Sequence, residues 1–173
     1  MKRALTGPCP GVSRRVRPSR RGILPPVTDI ARRIPHVFTR TDLAILLAPT
    51  YADSLSVDEE IAEERLGRAL SHPDVLAGIH EALASALEDS RGPRTDPDAQ
   101  VDKISKRLQK RRARVKAAPA TPAVSAVMVW LNLAIGMAPE SMRDTLATGK
   151  GAAMLETGLQ EVAASLLFDL SRG

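Results

Sequence analysis

An all-α bundle of about six or seven helices, preceded by a disordered basic arm, is the fold this sequence predicts. Three observations carry that expectation. Helix-start signals recur along the chain, apolar residues repeat at helical spacing, and no segment alternates apolar with polar residues as a strand would. A chain of 173 residues is long enough for one domain with a real core and short for two. The domain is expected over 36–173 and the arm over 1–35.

The arm is rich in Gly, Pro, Ser and Arg and shows no sustained apolar period. Ser13-Arg14-Arg15 is like the start of a twin-arginine signal, but Arg17, Pro18, Arg20 and Arg21 stand where an apolar stretch is needed. Pro8, Pro10, Pro18, Pro25 and Pro26 oppose the amphipathic helix of an organelle transit peptide.

Order is expected from about Ile34 to Phe38. Thr39 with Asp42 forms a capping-box start for a helix over 40–47, stopped by Pro49. Ser56 with Glu59 repeats the signal and opens a helix to about Leu70. Its inner side is Ile61, Ala62, Leu66, Ala69 and Leu70, and Glu59, Glu60, Glu63 and Glu64 crowd its first turns. Pro73 begins a helix in which Leu76, Ile79, His80, Leu83 and Leu87 share one face, ended by Gly92-Pro93. Asp96-Pro97 opens a helix to about Ala117 with a narrow seam of Val101, Ile104, Leu108 and Val115. Thr121-Pro122 opens an uncharged helix to Ala138, and Pro139 introduces a short helix ending near Gly149. The last helix, about 151–171, places Leu155, Leu159, Val162, Leu166 and Leu170 on one stripe.

Phe38, Tyr51, Trp130 and Phe168 are the full set of aromatics, so small and aliphatic side chains must build the core where helices lie close together. The same scarcity argues against binding a single strand on a row of stacked rings. Cys9, the single cysteine, can form no intramolecular disulfide and no cysteine-based zinc site, which fits a reducing, cytoplasmic setting.

Charge is divided unevenly. Residues 1–35 carry nine Lys/Arg and one acid, 36–100 carry five and thirteen, 101–117 carry eight and one, and 118–173 carry three and five. Two basic tracts therefore flank an acidic one, which predicts contact with a polyanion or pairing of the tracts within the chain. Lys103, Lys106, Arg107, Lys110, Arg111 and Arg114 on the basic helix are the residues expected to bind nucleic acid, joined by Arg14, Arg15, Arg17, Arg20 and Arg21 of the arm. The plain alternative is a solvated helix neutralised by the acids of 58–64.

Other constellations are weaker. A helix-turn-helix over 39–70 is opposed by a connection from Ala48 to Ser56 that is too long for that motif, and by the acids leading its second helix. The uncharged stretch 118–139 reads as a buried central helix, with a membrane anchor as the alternative. His36, His72 and His80 form no cluster, and the glutamates lack a Glu-x-x-His partner. Thr148-Gly149-Lys150-Gly151 lacks the spacing and context of a phosphate loop. No catalytic residue, metal or cofactor is expected, and an enzyme is the minority reading.

The uncharged run Ala123 to Gly136 resembles the penultimate long helix of tetracycline-repressor-type (TetR) transcription factors, and Leu155 to Leu167 resembles the final one. The similarity covers 73–172. It implies a homodimer formed through these helices and a regulatory domain holding a small apolar ligand. That family's amino-terminal DNA-binding unit is not recognisable in 1–72, so nucleic-acid binding leans on the charge pattern. The Leu155, Leu159, Val162, Leu166 and Leu170 stripe is accordingly the expected dimer interface. The expected function is that of a small cytoplasmic regulatory protein binding nucleic acid electrostatically. The alternatives are a helical interaction or assembly module, and a protein anchored to a membrane near 118–139.

Overall fold

The computed structural model describes residues 29–90, 96–111 and 113–172, which contain eight α-helices and no strand. In order they are α1 (Asp29–Val37), α2 (Arg40–Leu55), α3 (Glu59–Ala69), α4 (Pro73–Asp89), α5 (Pro97–Gln109), α6 (Pro122–Ala134), α7 (Glu140–Ala147) and α8 (Gly149–Arg172). The all-α fold class stands, and several boundaries move.

Residues 29–35 belong to a helix, not to the arm. Ile30, Ile34 and Phe38 recur every fourth residue and are all buried, so the supposed end of the arm is the domain's first apolar face. Arg32, Arg33 and Pro35 obscure that spacing in the sequence. Arg33 also ties α1 to α5, donating to Asp98 at 2.9 Å and to Asp102. The two carboxylates, Asp102 foremost, hold the Arg33 guanidinium above its ordinary pKa.

The capping box at Thr39 forms as expected. Thr39 Oγ1 accepts from the Asp42 N–H at 3.2 Å, and the Asp42 carboxylate accepts from the Thr39 N–H at 3.3 Å. The stop at Pro49 does not occur, because α2 runs through it to Leu55. An interior proline costs about 3 kcal/mol. Leu46, Leu47, Thr50 and Tyr51 are buried on either side of it, and each large apolar side chain withdrawn from water returns about 1.5–3 kcal/mol. Burial wins. Ser56, expected to cap the next helix, instead ends α2 in the left-handed region at φ 52°, and Asp58 is the N-cap of α3.

The basic helix is shorter than expected. α5 stops at Gln109, Arg111 turns the backbone at φ 50°, and 113–121 is not helical. Three hydrogen bonds hold this connection against other elements. The Lys116 N–H donates to Asp169 Oδ2 at 2.7 Å, the Ala118 N–H to Thr50 Oγ1 at 2.9 Å, and the Thr121 hydroxyl to Glu161 at 2.6 Å. Thr50, 2% exposed, is the one buried polar side chain among the described residues, and this bond explains it.

Thr121 then caps α6, its Oγ1 accepting from the Val124 N–H at 3.1 Å. At 13 residues α6 falls short of the roughly 20 a membrane-spanning helix needs. Among the described residues no helix is long and apolar enough to cross a membrane. α6 lies instead against α8, which also packs on α4. Gly158 permits the close approach: a Cβ there would sit 2.0 Å from the Ala123 carbonyl oxygen. Tyr51 donates to Asn132 Oδ1 and so joins α2 to α6. His80 Nε2 lies 2.8 Å from the Phe38 carbonyl, an acceptor only, which assigns the ring proton to Nε2.

Candidate nucleic-acid interface

The cations of 103–116 divide into two groups. Lys103 Nζ donates to the Ser171 carbonyl at 2.6 Å, and Arg107 donates to the carbonyls of Asp169, at 3.2 Å, and Leu170. These carbonyls are among those left without helical partners at the end of α8, and cations are favoured there by the helix dipole. Two of the six cations expected to bind nucleic acid from the basic helix therefore cap α8.

Lys106, Lys110, Arg111 and Arg114 form the second group. All four are exposed, and none forms an ion pair among the described residues. Lys116, also exposed, extends the group beyond the expected set. Arg33 engages Asp102, the single acid within 101–117, so no carboxylate from that stretch is left to neutralise these cations. Arg14, Arg15, Arg17, Arg20 and Arg21 lie outside the described residues.

Neutralisation of the basic 103–116 tract by the acidic tract at 58–64, expected as the alternative, is absent at ion-pair distance among the described residues; the basic-to-acidic pairing that forms there joins Arg33 of the first basic tract to Asp98. The two tracts do face a common groove. An open cleft of about 920 Å³ runs between α2 and the connection after α5. Ile45 and Pro49 line it from α2, Asp53, Asp58 and Glu59 from the α2–α3 corner, and Arg114, Val115 and Lys116 from the connection. Ile45 is 49% exposed although its neighbours Ala44, Leu46 and Leu47 are buried. A second cleft of about 620 Å³ shares Ile45 and Leu46 and is closed by Leu108 and Arg111 of the α5 end.

Extension of α2 changes the case for a helix-turn-helix. The connection to α3 is only 56–58, so length no longer opposes the motif. The acids still do: Glu59, Glu60, Glu63 and Glu64 are all exposed on the second helix and would face phosphates.

The stripe expected to meet a second copy is largely occupied within one chain. Val162, Leu166 and Leu170 are buried in the core, and Leu155 and Leu159 are half-buried against it. Sequence reasoning misses Asp169, whose carboxylate orients the cationic connection, and Ser171, whose carbonyl takes Lys103. An isolated acid in the final helix carries no local signal of either role. No group of His, Cys, Asp and Glu suited to hold a metal occurs among the described residues. No protein family, curated protein or solved structure matches the chain.

Proposed function

We propose that this chain is a small α-helical regulatory protein that binds nucleic acid electrostatically, acting in the cytoplasm as a homodimer. One observation supports the binding reading above the rest. Lys106, Lys110, Arg111, Arg114 and Lys116 are exposed within a single stretch, and no acid pairs with them among the described residues. Each cation set against a phosphate releases a counterion, and a run of them gives affinity without requiring recognition of a base. The cytoplasmic assignment follows the lone Cys9, and the homodimer draws on what one chain leaves of the final helix, Leu155 and Leu159.

The test is replacement of Lys106, Lys110, Arg111 and Arg114 by Gln, with Lys103 and Arg107 retained because they cap α8. Affinity for duplex DNA should fall, and the slope of log K against log salt should flatten by about 0.9 for each phosphate no longer neutralised. An unchanged slope rejects this surface as the site.

A second reading, a helical interaction module, is supported by the groove at Ile45. Its apolar floor lies between an acidic wall and a basic one, a pattern suited to a protein segment carrying both charges. That reading expects no nucleic-acid binding by the unmodified chain.

A further inference from the structure

We propose that Phe168 and Arg172 form a stacking platform for one unpaired nucleobase, whose flanking phosphates meet the cations of the connection after α5. This inference rests on the nucleic-acid reading and names the kind of strand that the surface takes.

Phe168 is 56% exposed, whereas Phe38 and Tyr51 are 0% and 1% exposed. Trp130 is half-buried, its ring against Gly78 of α4. Leu166, Leu167 and Leu170 supply the core packing of this part of α8, so the Phe168 ring is not used there. The ring is nonetheless held. The Arg172 guanidinium carbon stands 4.4 Å from its centroid, the two residues lying one turn apart on the helix. The guanidinium lies over the ring, and a planar guanidinium, like an aromatic face, is a surface on which any base can stack, whatever its identity.

Position joins this platform to the cationic stretch. Asp169, the next residue after Phe168, holds the Lys116 N–H at 2.7 Å, so the backbone of the connection passes the turn of α8 that carries Phe168. Asp53, Asp58 and Glu59 share the cleft with Arg114 and Lys116, while α8 presents two carboxylates to the connection, Asp169 and Glu161. Both already accept hydrogen bonds, from the Lys116 N–H and from the Thr121 hydroxyl at 2.6 Å. A strand with a base on Phe168 thus carries its next phosphates towards Lys116 and Arg114.

Scarcity of aromatics argues against a long row of stacked bases, and one ring needs only one base. A blunt duplex keeps its bases stacked on each other, so the faces of its internal bases are covered and its phosphates remain the main contact for this surface. The platform therefore favours a strand with an unpaired base over a closed duplex.

The experiment measures anisotropy of a labelled oligothymidylate of about 15 nucleotides, and of a blunt duplex of the same length, with the full chain. Phe168→Ala should weaken oligothymidylate binding about tenfold and leave duplex binding as it was. The salt slope should not change, because the number of neutralised phosphates stays the same. Phe168→Tyr should restore the affinity. Exposure of residue 168 makes loss of fold a minor risk, and circular dichroism of each variant checks it. If the parent binds both probes and Phe168→Ala weakens neither, or both alike, the platform is rejected while the cationic site stands. A parent that binds neither probe rejects the cationic site and the platform together.

Discussion

The Asp169 carboxylate accepts the Lys116 backbone N–H at 2.7 Å, fastening the last turns of α8 to the most basic stretch of the chain. Arg107 returns the connection from the other side by donating to the Asp169 carbonyl at 3.2 Å. α5, the connection and α8 are thereby held as one unit, and the cations that remain exposed are those this clamp does not use.

Removing the clamp should be measurable without any ligand. Asp169→Ala is expected to lower stability by about 1–2 kcal/mol, the low side of the roughly 1.5–3 kcal/mol of a hydrogen bond to a charged group because the site is partly exposed. Asp169→Asn keeps an acceptor oxygen and should recover most of that stability. Urea titrations of the three proteins check the order; equal midpoints for parent and Ala variant reject the clamp.

Thr50→Val tests the other fastening of the connection. Thr50 Oγ1 takes the Ala118 N–H at 2.9 Å, and both residues are buried. Valine fills the same volume but leaves that N–H without a partner, which costs about 1–3 kcal/mol. Thr50→Ser keeps the acceptor and should fall well short of that penalty in thermal denaturation.

Two glycines should respond in opposite directions. A Cβ at Gly158 would lie 2.0 Å from the Ala123 carbonyl oxygen, and separating α6 from α8 to admit it should cost about 3 kcal/mol or more. A Cβ at Gly67 meets nothing within 4 Å, so alanine in this helix interior should stabilise by about 0.5–1 kcal/mol. Chemical denaturation of Gly158→Ala and Gly67→Ala reads both signs.

Arg33 gives a prediction in pH. Its folded-state pKa is raised by Asp102 and Asp98, so its contribution is fully present below the unfolded value and disappears only as pH climbs through the raised one. The stability difference between parent and Arg33→Met should stay level from roughly pH 6 to 9. Both acids are more than half exposed, so that difference should be modest, about 1 kcal/mol or less. Parallel unfolding curves across that range check it.

Helix starts are the most legible part of the chain. Thr39, Asp96 and Thr121 all accept the capping bonds that their side chains suggest, because a cap is decided within three residues. Helix ends are less so. Pro49 reads as a stop and is an interior residue, since the apolar side chains around it are buried by α3 and α6, which the local sequence does not contain. Ser56 carries a start signal and becomes a terminus once α2 has passed Pro49. The basic tract reads as one helix through 117 because Lys, Arg, Gln and Ala favour helix; Thr50 and Asp169, remote in sequence, hold the chain after 112 out of the helix.

Residue type and spacing within a few turns were enough to set the helical class, the cap residues, the absence of an aromatic-rich core and the uneven division of charge. Which cations remain exposed was settled elsewhere, by packing across the fold. Lys103 and Arg107 differ from Lys106 and Lys110 in facing the end of α8, and that difference depends on how α5 packs. Packing likewise turns Val162, Leu166 and Leu170 towards their own chain and leaves Phe168 outside. Both cases have one cause: an amphipathic pattern states that a face will be covered, and the arrangement of distant helices decides what covers it.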